Sequence, residues 1–253
     1  MKPATLTIAG SDSGGGAGVQ ADLRAFSSLG VSGTCAITCI TAQNPSEVRG
    51  VLPVDPDMVR LQIETICDGF AVVAAKTGML YSGAIIQEVA RVVAERELPS
   101  LVVDPVMVAT SGAKLLEDDA ISTLCAELIP MATVLTPNLP EAEILCGHGI
   151  GSSAGIEDAA REIADKFGVA CVLKGGHLAN QEGMTQGDTI LDVLCVDGEI
   201  RRFEGPRVNA TETHGTGCMF SAALAASLAK GESVSGAVAA AKEYVHGVLS
   251  STR

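Results

Sequence analysis

Thr5-Leu6-Thr7-Ile8-Ala9-Gly10-Ser11-Asp12-Ser13-Gly14-Gly15-Gly16-Ala17-Gly18-Val19-Gln20-Ala21-Asp22-Leu23 sets the pattern of this chain. Its first five residues are an apolar, β-branched run that reads as a buried strand stopping at Gly10. From residue 17 to 29, Val19, Leu23 and Phe26 recur at i, i+4 and i+7, which is the spacing of a helix with one buried face. The glycine- and serine-rich residues 10–16 between them read as a loop. This strand-to-helix turn lacks the G-x-G-x-x-G pattern of a dinucleotide site and the GxxxxGK[ST] pattern of a phosphate loop.

The same alternation continues outward along the chain. Further strands are predicted at residues 35–40, 72–75, 101–103, 133–135, 170–173, 190–195 and 200–203. Helices are predicted at residues 56–69, 82–95, 118–128, 140–146, 156–167, 217–230 and 234–249. Such alternation implies α/β architecture with a mainly parallel sheet covered by helices on both faces. The last two strands flank Val196-Asp197-Gly198-Glu199 and read as a hairpin, hence an antiparallel edge. No repeat or convincing linker interrupts residues 1–253, so a single domain is expected.

Composition narrows the function. Apolar residues make up 47 % of the chain and mean hydropathy is +0.34, as suits helices packed on a buried sheet. A formal net charge of −13 with no basic cluster argues against nucleic acid, and five Phe with no Trp leave few stacking platforms. An anionic ligand would therefore need local attraction from helix N-termini, a few cationic side chains and a metal ion. Eight cysteines show no CxxC pair or zinc-type Cys/His spacing, and Cys35, Cys39, Cys171 and Cys195 lie in strand-like runs. With no signal peptide and no apolar run near about 18 residues, the expectation is a reduced, cytoplasmic protein that makes no membrane contact.

Sites in open parallel sheets lie beyond the carboxyl ends of the strands. Here those ends carry residues 10–12, 41–44, 76–78, Asp104, 136–138 and 174–177, which are expected to converge on one rim. His214-Gly215-Thr216-Gly217-Cys218 precedes a helix, so its backbone N–H groups form an anion cradle, and the helix-start field lowers the pKa of a thiol. The alternative is a glycine-rich helix start with an inert buried cysteine. Asn138 and Glu141 stand three residues apart at a helix start, where they serve either as oxygen ligands for Mg²⁺ or as a capping box. Asp22 is either a pocket carboxylate at the edge of the buried helix face or a solvated surface residue. Lys174, followed by Gly175, Gly176 and His177, is either a surface lysine or a phosphate contact. His177 and His214 read as hydrogen-bonding or capping residues.

Seven blocks carry a resemblance that runs in order from about residue 4 to residue 230. They are residues 9–22, Thr41-Ala42-Gln43-Asn44, Lys76-Thr77-Gly78-Met79-Leu80, Asp104-Pro105-Val106-Met107, residues 136–142, Lys174-Gly175-Gly176-His177 and residues 214–218. Together they resemble the hydroxymethylpyrimidine/phosphomethylpyrimidine kinases of thiamin biosynthesis, a family with the ribokinase-like three-layer α/β/α sandwich. The resemblance implies ATP-dependent phosphorylation of 4-amino-5-hydroxymethyl-2-methylpyrimidine and of its monophosphate, with Mg²⁺, in a homodimer. It implies a substrate pocket of Gly10, Asp22 and Gln43 with Met79 and Val106 as apolar walls. It further implies Asn138 and Glu141 at the Mg²⁺-phosphate site, Asp104 supporting the metal, and Lys174 on nucleotide phosphate. Gly215, Thr216 and Gly217 would form the anion hole and Cys218 would be the catalytic base, its thiol lowered toward neutrality by the helix start. A departure is that the sequence stops at Arg253 without the Gly- and His-rich tail of many relatives, which bears on nucleotide-side closure. Alternatives are a pyridoxal or pyridoxine kinase of the same fold, a non-catalytic pyrimidine sensor, and a thiol hydrolase using Cys218, for which no placed His/Asp pair is seen.

Overall fold

A computed structural model describes residues 1, 3–107, 116–175, 189–208 and 214–251. Strands β1 (Pro3–Asp12), β2 (Gly33–Asn44), β3 (Glu47–Pro53), β4 (Ala71–Thr77), β5 (Leu101–Val103), β6 (Val134–Leu135), β7 (Ala170–Leu173), β8 (Thr189–Val196) and β9 (Glu199–Pro206) build one sheet. Its order is β3-β2-β1-β4-β5-β6-β7-β8-β9. Neighbours from β2 across to β7 are parallel. The β8 to β9 hairpin forms the expected antiparallel edge. The opposite edge is antiparallel too, because β3 folds back on β2. Sequence reading misses β3: Glu47-Val48-Arg49-Gly50-Val51-Leu52-Pro53 has no apolar alternation, and no residue of it is fully buried.

Helices α1 (Gly18–Ser28), α7 (Thr216–Ala229) and α8 (Val234–Ser251) cover one face. Helices α2 (Pro56–Gly69), α3 (Gly83–Glu95), α4 (Asp118–Thr123), α5 (Leu139–Cys146) and α6 (Ser153–Phe167) cover the other. The sheet separates the two cores by simple alternation: Leu101 and Val103 join the larger core, and Val102 between them joins the smaller. The helix expected over residues 118–128 changes pitch, with a π turn at Leu124–Leu128 after α4 and a 3₁₀ turn at Ile129–Met131. Pro130 has no N–H to continue a regular helix there.

The α7 side of the sheet has a polar interior. Asp22 of α1 is fully buried, which removes the surface reading of this residue. Its carboxylate accepts from Lys76 Nζ at 2.8 and 3.0 Å and from Thr7 Oγ1 at 2.6 Å, and both members of the ion pair have no exposed side chain. Burial alone would depress the Lys76 ammonium, but Asp22, then Cys218 and Asp104, reverse the shift and hold it protonated. Helix α7 closes over this seam, with every residue from Phe220 to Leu228 buried.

Breaking a buried pair by removing one partner typically costs about 3–5 kcal/mol, because the other charge is left uncompensated. Lys76→Met should therefore lower unfolding free energy by about that amount in urea titration, while Lys76→Met with Asp22→Asn recovers more than half. A double variant as unstable as Lys76→Met alone would show that the pair is not what seats α1.

Candidate active site

The polar strand ends meet on one rim, as the topology requires. Asp104, just beyond β5, takes Lys174 Nζ at 2.9 Å and Thr136 Oγ1 at 3.2 Å on Oδ1, and Ser221 Oγ of α7 at 2.9 Å on Oδ2. It is 3 % exposed, so its charge acts in a poorly solvated place. Lys174 follows β7, and its backbone N–H donates to Pro137 O at 2.9 Å, which ties the β7 end to the β6 end. A Cβ on Gly217 would lie 3.5 Å from Lys174 Nζ, so the ammonium stands against the first turn of α7. A cation and a helix start thus face the same space, an arrangement suited to an anion. The surface reading of Lys174 is removed, since its side chain is only 13 % exposed. Burial opposes its charge, but Asp104 and then Glu141 raise its pKa.

Asn138 and Glu141 form a complete capping box on α5. Asn138 Oδ1 accepts from the Glu141 N–H at 2.9 Å, and Glu141 Oε2 accepts from the Asn138 N–H at 2.8 Å. The capping reading is the one the structure shows, and it holds the Glu141 carboxylate buried within reach of the charges of Lys174 and Asp104. Burial pushes its carboxyl up to about 7, opposed by Lys174, reinforced by Asp104, and opposed again by N–H groups of Asn138 and Met107. When Glu141 ionises, it and Asp104 outweigh Lys174 by one negative charge, for which oxygen-seeking Mg²⁺ is a fitting counterion. The hydrogen bonds already on Asp104 leave Glu141 the more available direct ligand of the two.

Gly215, Thr216 and Gly217 open α7. Gly215 is left-handed at φ +81°, and a Cβ there would sit 2.0 Å from Gly16 O, so only glycine lets the two loops meet backbone to backbone. Cys218 follows, near Lys76, Asp22 and Asp104. Burial pushes its thiol up to about 11; Lys76 and the Gly18 N–H pull it down, and Asp22 and Asp104 add to the rise. This corrects the expected lowering toward neutrality. The helix-end field is worth only about 1 kcal/mol, and the loss of water around the half-buried thiol, with Asp22 and Asp104 nearby, exceeds it.

The expected apolar walls come together. Met79 packs with Cys39, and Val106 packs against them, while a Cβ on Gly10 would lie 2.7 Å from Cys39 Sγ and 3.5 Å from Met79 Sδ. Gln43 stands at the polar end, its Nε2 3.3 Å from His214 Nε2, which is also 3.1 Å from Asp12 Oδ2. Asp12 accepts from the N–H groups of Gly14 and Ala17 at 2.8 Å each, pinning the glycine loop. These bonds and His214 lower its pKa although burial alone would raise it. Asp22, also expected in this pocket, is buried with its carboxylate on Lys76 and Thr7. Gly176 and His177 lie outside the described residues.

Sequence reading assigned no role to Lys76, Thr136 or Ser221. A lysine ending Ala71-Val72-Val73-Ala74-Ala75 in a strand buried on both faces was a usable signal, since such a charge needs a partner. Ser221 carried no such signal within an alanine-rich helix.

A family model described as phosphomethylpyrimidine kinase matches residues 12–253. A hydroxymethylpyrimidine/phosphomethylpyrimidine kinase of Haemophilus influenzae is 44 % identical over 97 % of this chain and 90 % of its own. A thiamine biosynthesis bifunctional protein of Geobacter sulfurreducens is 42 % identical over 95 % of this chain and 48 % of its own. A crystal structure of Bacillus subtilis pyridoxal kinase in complex with ADP superposes with a TM-score of 0.86 at 40 % identity, covering 96 % of this chain and 90 % of that one.

The state of Glu141 has a measurable consequence for stability. Its folded pKa of about 7 exceeds the ordinary 4.5, so between those values the folded state binds more protons and stability falls as pH rises. The full effect is roughly 3 kcal/mol. Comparing melting curves of ligand-free protein from pH 4 to 8, Glu141→Gln should gain on the parent chain as pH rises. A difference independent of pH would remove Glu141 as the titrating group.

Proposed function

Because this chain belongs to the phosphomethylpyrimidine kinase family, we propose that it transfers the γ-phosphoryl group of ATP to hydroxymethylpyrimidine and then to the resulting monophosphate, within thiamin biosynthesis. The observation that carries this reading is the meeting of the Lys174 ammonium with the Gly215 to Cys218 helix start beside Asp104 and Glu141. A phosphoryl transition state needs positioning and neutralisation of oxygens more than covalent work. The N–H groups of Gly215, Thr216 and Gly217 are suited to hold the transferring group, and Lys174 the nucleotide phosphates. Glu141 would hold Mg²⁺, with Asp104 behind it and Asn138 fixing its carboxylate. Bound there, the ion would neutralise phosphate charge during transfer.

The substrate oxygen bonds to the γ-phosphorus as the bond to the ADP oxygen breaks, and the hydroxyl proton leaves toward Cys218. Gln43 offers donor and acceptor to the aminopyrimidine edge, with Gly10, Met79 and Val106 along the ring. Asp22 would act on this pocket through Lys76. With its pKa at about 11, the Cys218 thiol is mostly protonated at neutral pH, so its basic form is scarce but strong. The second transfer starts from an anionic phosphate and needs no such base.

The reading takes residues 1–253 as one kinase domain in a cytoplasmic homodimer. Exposed Ile40 and Leu52, directly opposite on β2 and β3, support a self-association surface. Among the described residues, no helix is long and apolar enough to cross a membrane. A pyridoxal activity is the second reading, favoured by the likeness to a pyridoxal kinase. The intact phosphate-facing cluster speaks against a non-catalytic sensor.

Coupled ADP-release assays with hydroxymethylpyrimidine, its monophosphate and pyridoxal, with and without Mg²⁺, test the assignment. The pyrimidine alcohol should show the higher kcat/KM, and omission of Mg²⁺ should abolish turnover. Cys218→Ala should reduce the first phosphorylation at least 100-fold and the second less than tenfold. In the unmodified enzyme the first rate should climb with pH from 7 to 9, and this slope should vanish in Cys218→Ala. Equal losses on both substrates would rule out the proton-acceptor role.

A further inference from the structure

At the opposite end of α5 from the capping box, Cys146, His148 and Glu162 bring a sulfur, an imidazole nitrogen and a carboxylate oxygen within 4.8 Å of one another. Cys146 ends α5, Gly147 caps it in the left-handed conformation, and Glu162 comes from α6 alongside. The connecting loop is fixed rather than loose. The Gly147 N–H donates to Glu143 O at 2.8 Å, and the Ile150 N–H donates to Glu143 Oε1 at 2.9 Å. His148 Nδ1 lies 3.3 Å from Gly149 O while its Nε2 lies 2.9 Å from Glu162 Oε2. Both ring nitrogens face acceptors, and the bond to Glu162 raises the His148 pKa, so a metal ion would take the place of the Nε2 proton between the imidazole and the carboxylate.

We propose that Cys146, His148 and Glu162 bind one divalent transition-metal ion of the Zn²⁺ class, with water completing a tetrahedral shell. Mixed sulfur, nitrogen and oxygen donors suit Zn²⁺ or Co²⁺, whereas Mg²⁺ and Ca²⁺ take oxygen donors. Bonds of about 2.0–2.3 Å to a shared ion place tetrahedral ligand atoms about 3.3–3.8 Å apart, so spacings toward 4.8 Å close while the 2.9 Å His148–Glu162 contact opens slightly. His148 and Glu162 are exposed and free to make that adjustment. On binding, the Cys146 S–H and His148 Nε2–H bonds break, both protons pass to solvent, and sulfur–metal and nitrogen–metal bonds form without change of oxidation state. A Cys-x-His pair is too short a motif to announce this site, because its third ligand stands fourteen residues further on, in another helix.

The site has a mechanical reach. Helix α5 begins at the Asn138–Glu141 capping box and ends at Cys146, so the ion would clamp to α6 the far end of the helix that presents Glu141. The five steps from Glu141 to Cys146 correspond to about 7.5 Å of helix.

The test is titration of chelator-stripped protein with Zn²⁺ against a chromophoric chelator, with Co²⁺ absorbance as a spectroscopic probe. The parent chain should hold one equivalent of Zn²⁺ and show a thiolate-to-Co²⁺ charge-transfer band. His148→Ala should weaken Zn²⁺ at least tenfold, Glu162→Gln should weaken it less, and Cys146→Ser should abolish the band. Circular dichroism checks that each variant stays folded; His148 and Glu162, being exposed, are the safest substitutions. Failure of the parent chain to take up Zn²⁺, or uptake and spectra unchanged in all three variants, overturns the proposal.

Discussion

The Lys76–Asp22 ion pair is the constraint around which the rest is arranged. Two full charges with no exposed surface persist only because each satisfies the other and Thr7 supplies a further hydrogen bond. That requirement fixes α1 over β1 and β4, and with it the glycine loop that leads into α1. It also sets a permanent cation beneath the first turn of α7. The reactive rim is therefore built on a charged foundation, and a change in that foundation reaches Cys218, whose thiol responds to both members of the pair.

A second charge cluster lies above the first and obeys different rules. Asp104 is saturated by Lys174, Thr136 and Ser221, whereas Glu141 is buried with less compensation. The lower pair is balanced and structural; the upper one gains an excess negative charge as Glu141 ionises. Binding energy is available where the fold leaves an electrostatic debt, and in this chain that place coincides with the helix start. Cys218 sits between the two, which explains why a helix terminus that would favour a thiolate in water fails to do so here.

Most of the fold was legible because it obeys local rules. Buried parallel strands such as Leu101-Val102-Val103 and Ala170-Cys171-Val172-Leu173 are continuous apolar runs, and the helices announce themselves by spacing and by caps such as Ser82 and Asn138. Strand β3 was not legible, since an exposed edge strand is held by pairing to β2 and needs no apolar face. At the site, residue types and order pointed to Asp104, Glu141, Lys174 and the Gly215 to Cys218 turn. What they could not give was burial. Asp22 and Cys218 acquire their character from the covering helix and from each other, and no pattern along one segment encodes the solvent that another segment removes.

The position of α7 has a consequence for how the molecule is made. It follows β1, β4 and β5 in the sequence yet covers them, so they are synthesised well before their lid. While the ribosome still holds residues beyond 200, the seam of Thr7, Asp22 and Lys76 has water on one side and no lid. The nascent protein can therefore assemble its sheet and its larger core while keeping this charged face hydrated. Desolvation of the ion pair and the rise of the Cys218 thiol therefore both wait for residues 216–229, so the charged seam stays wet until that one helix docks.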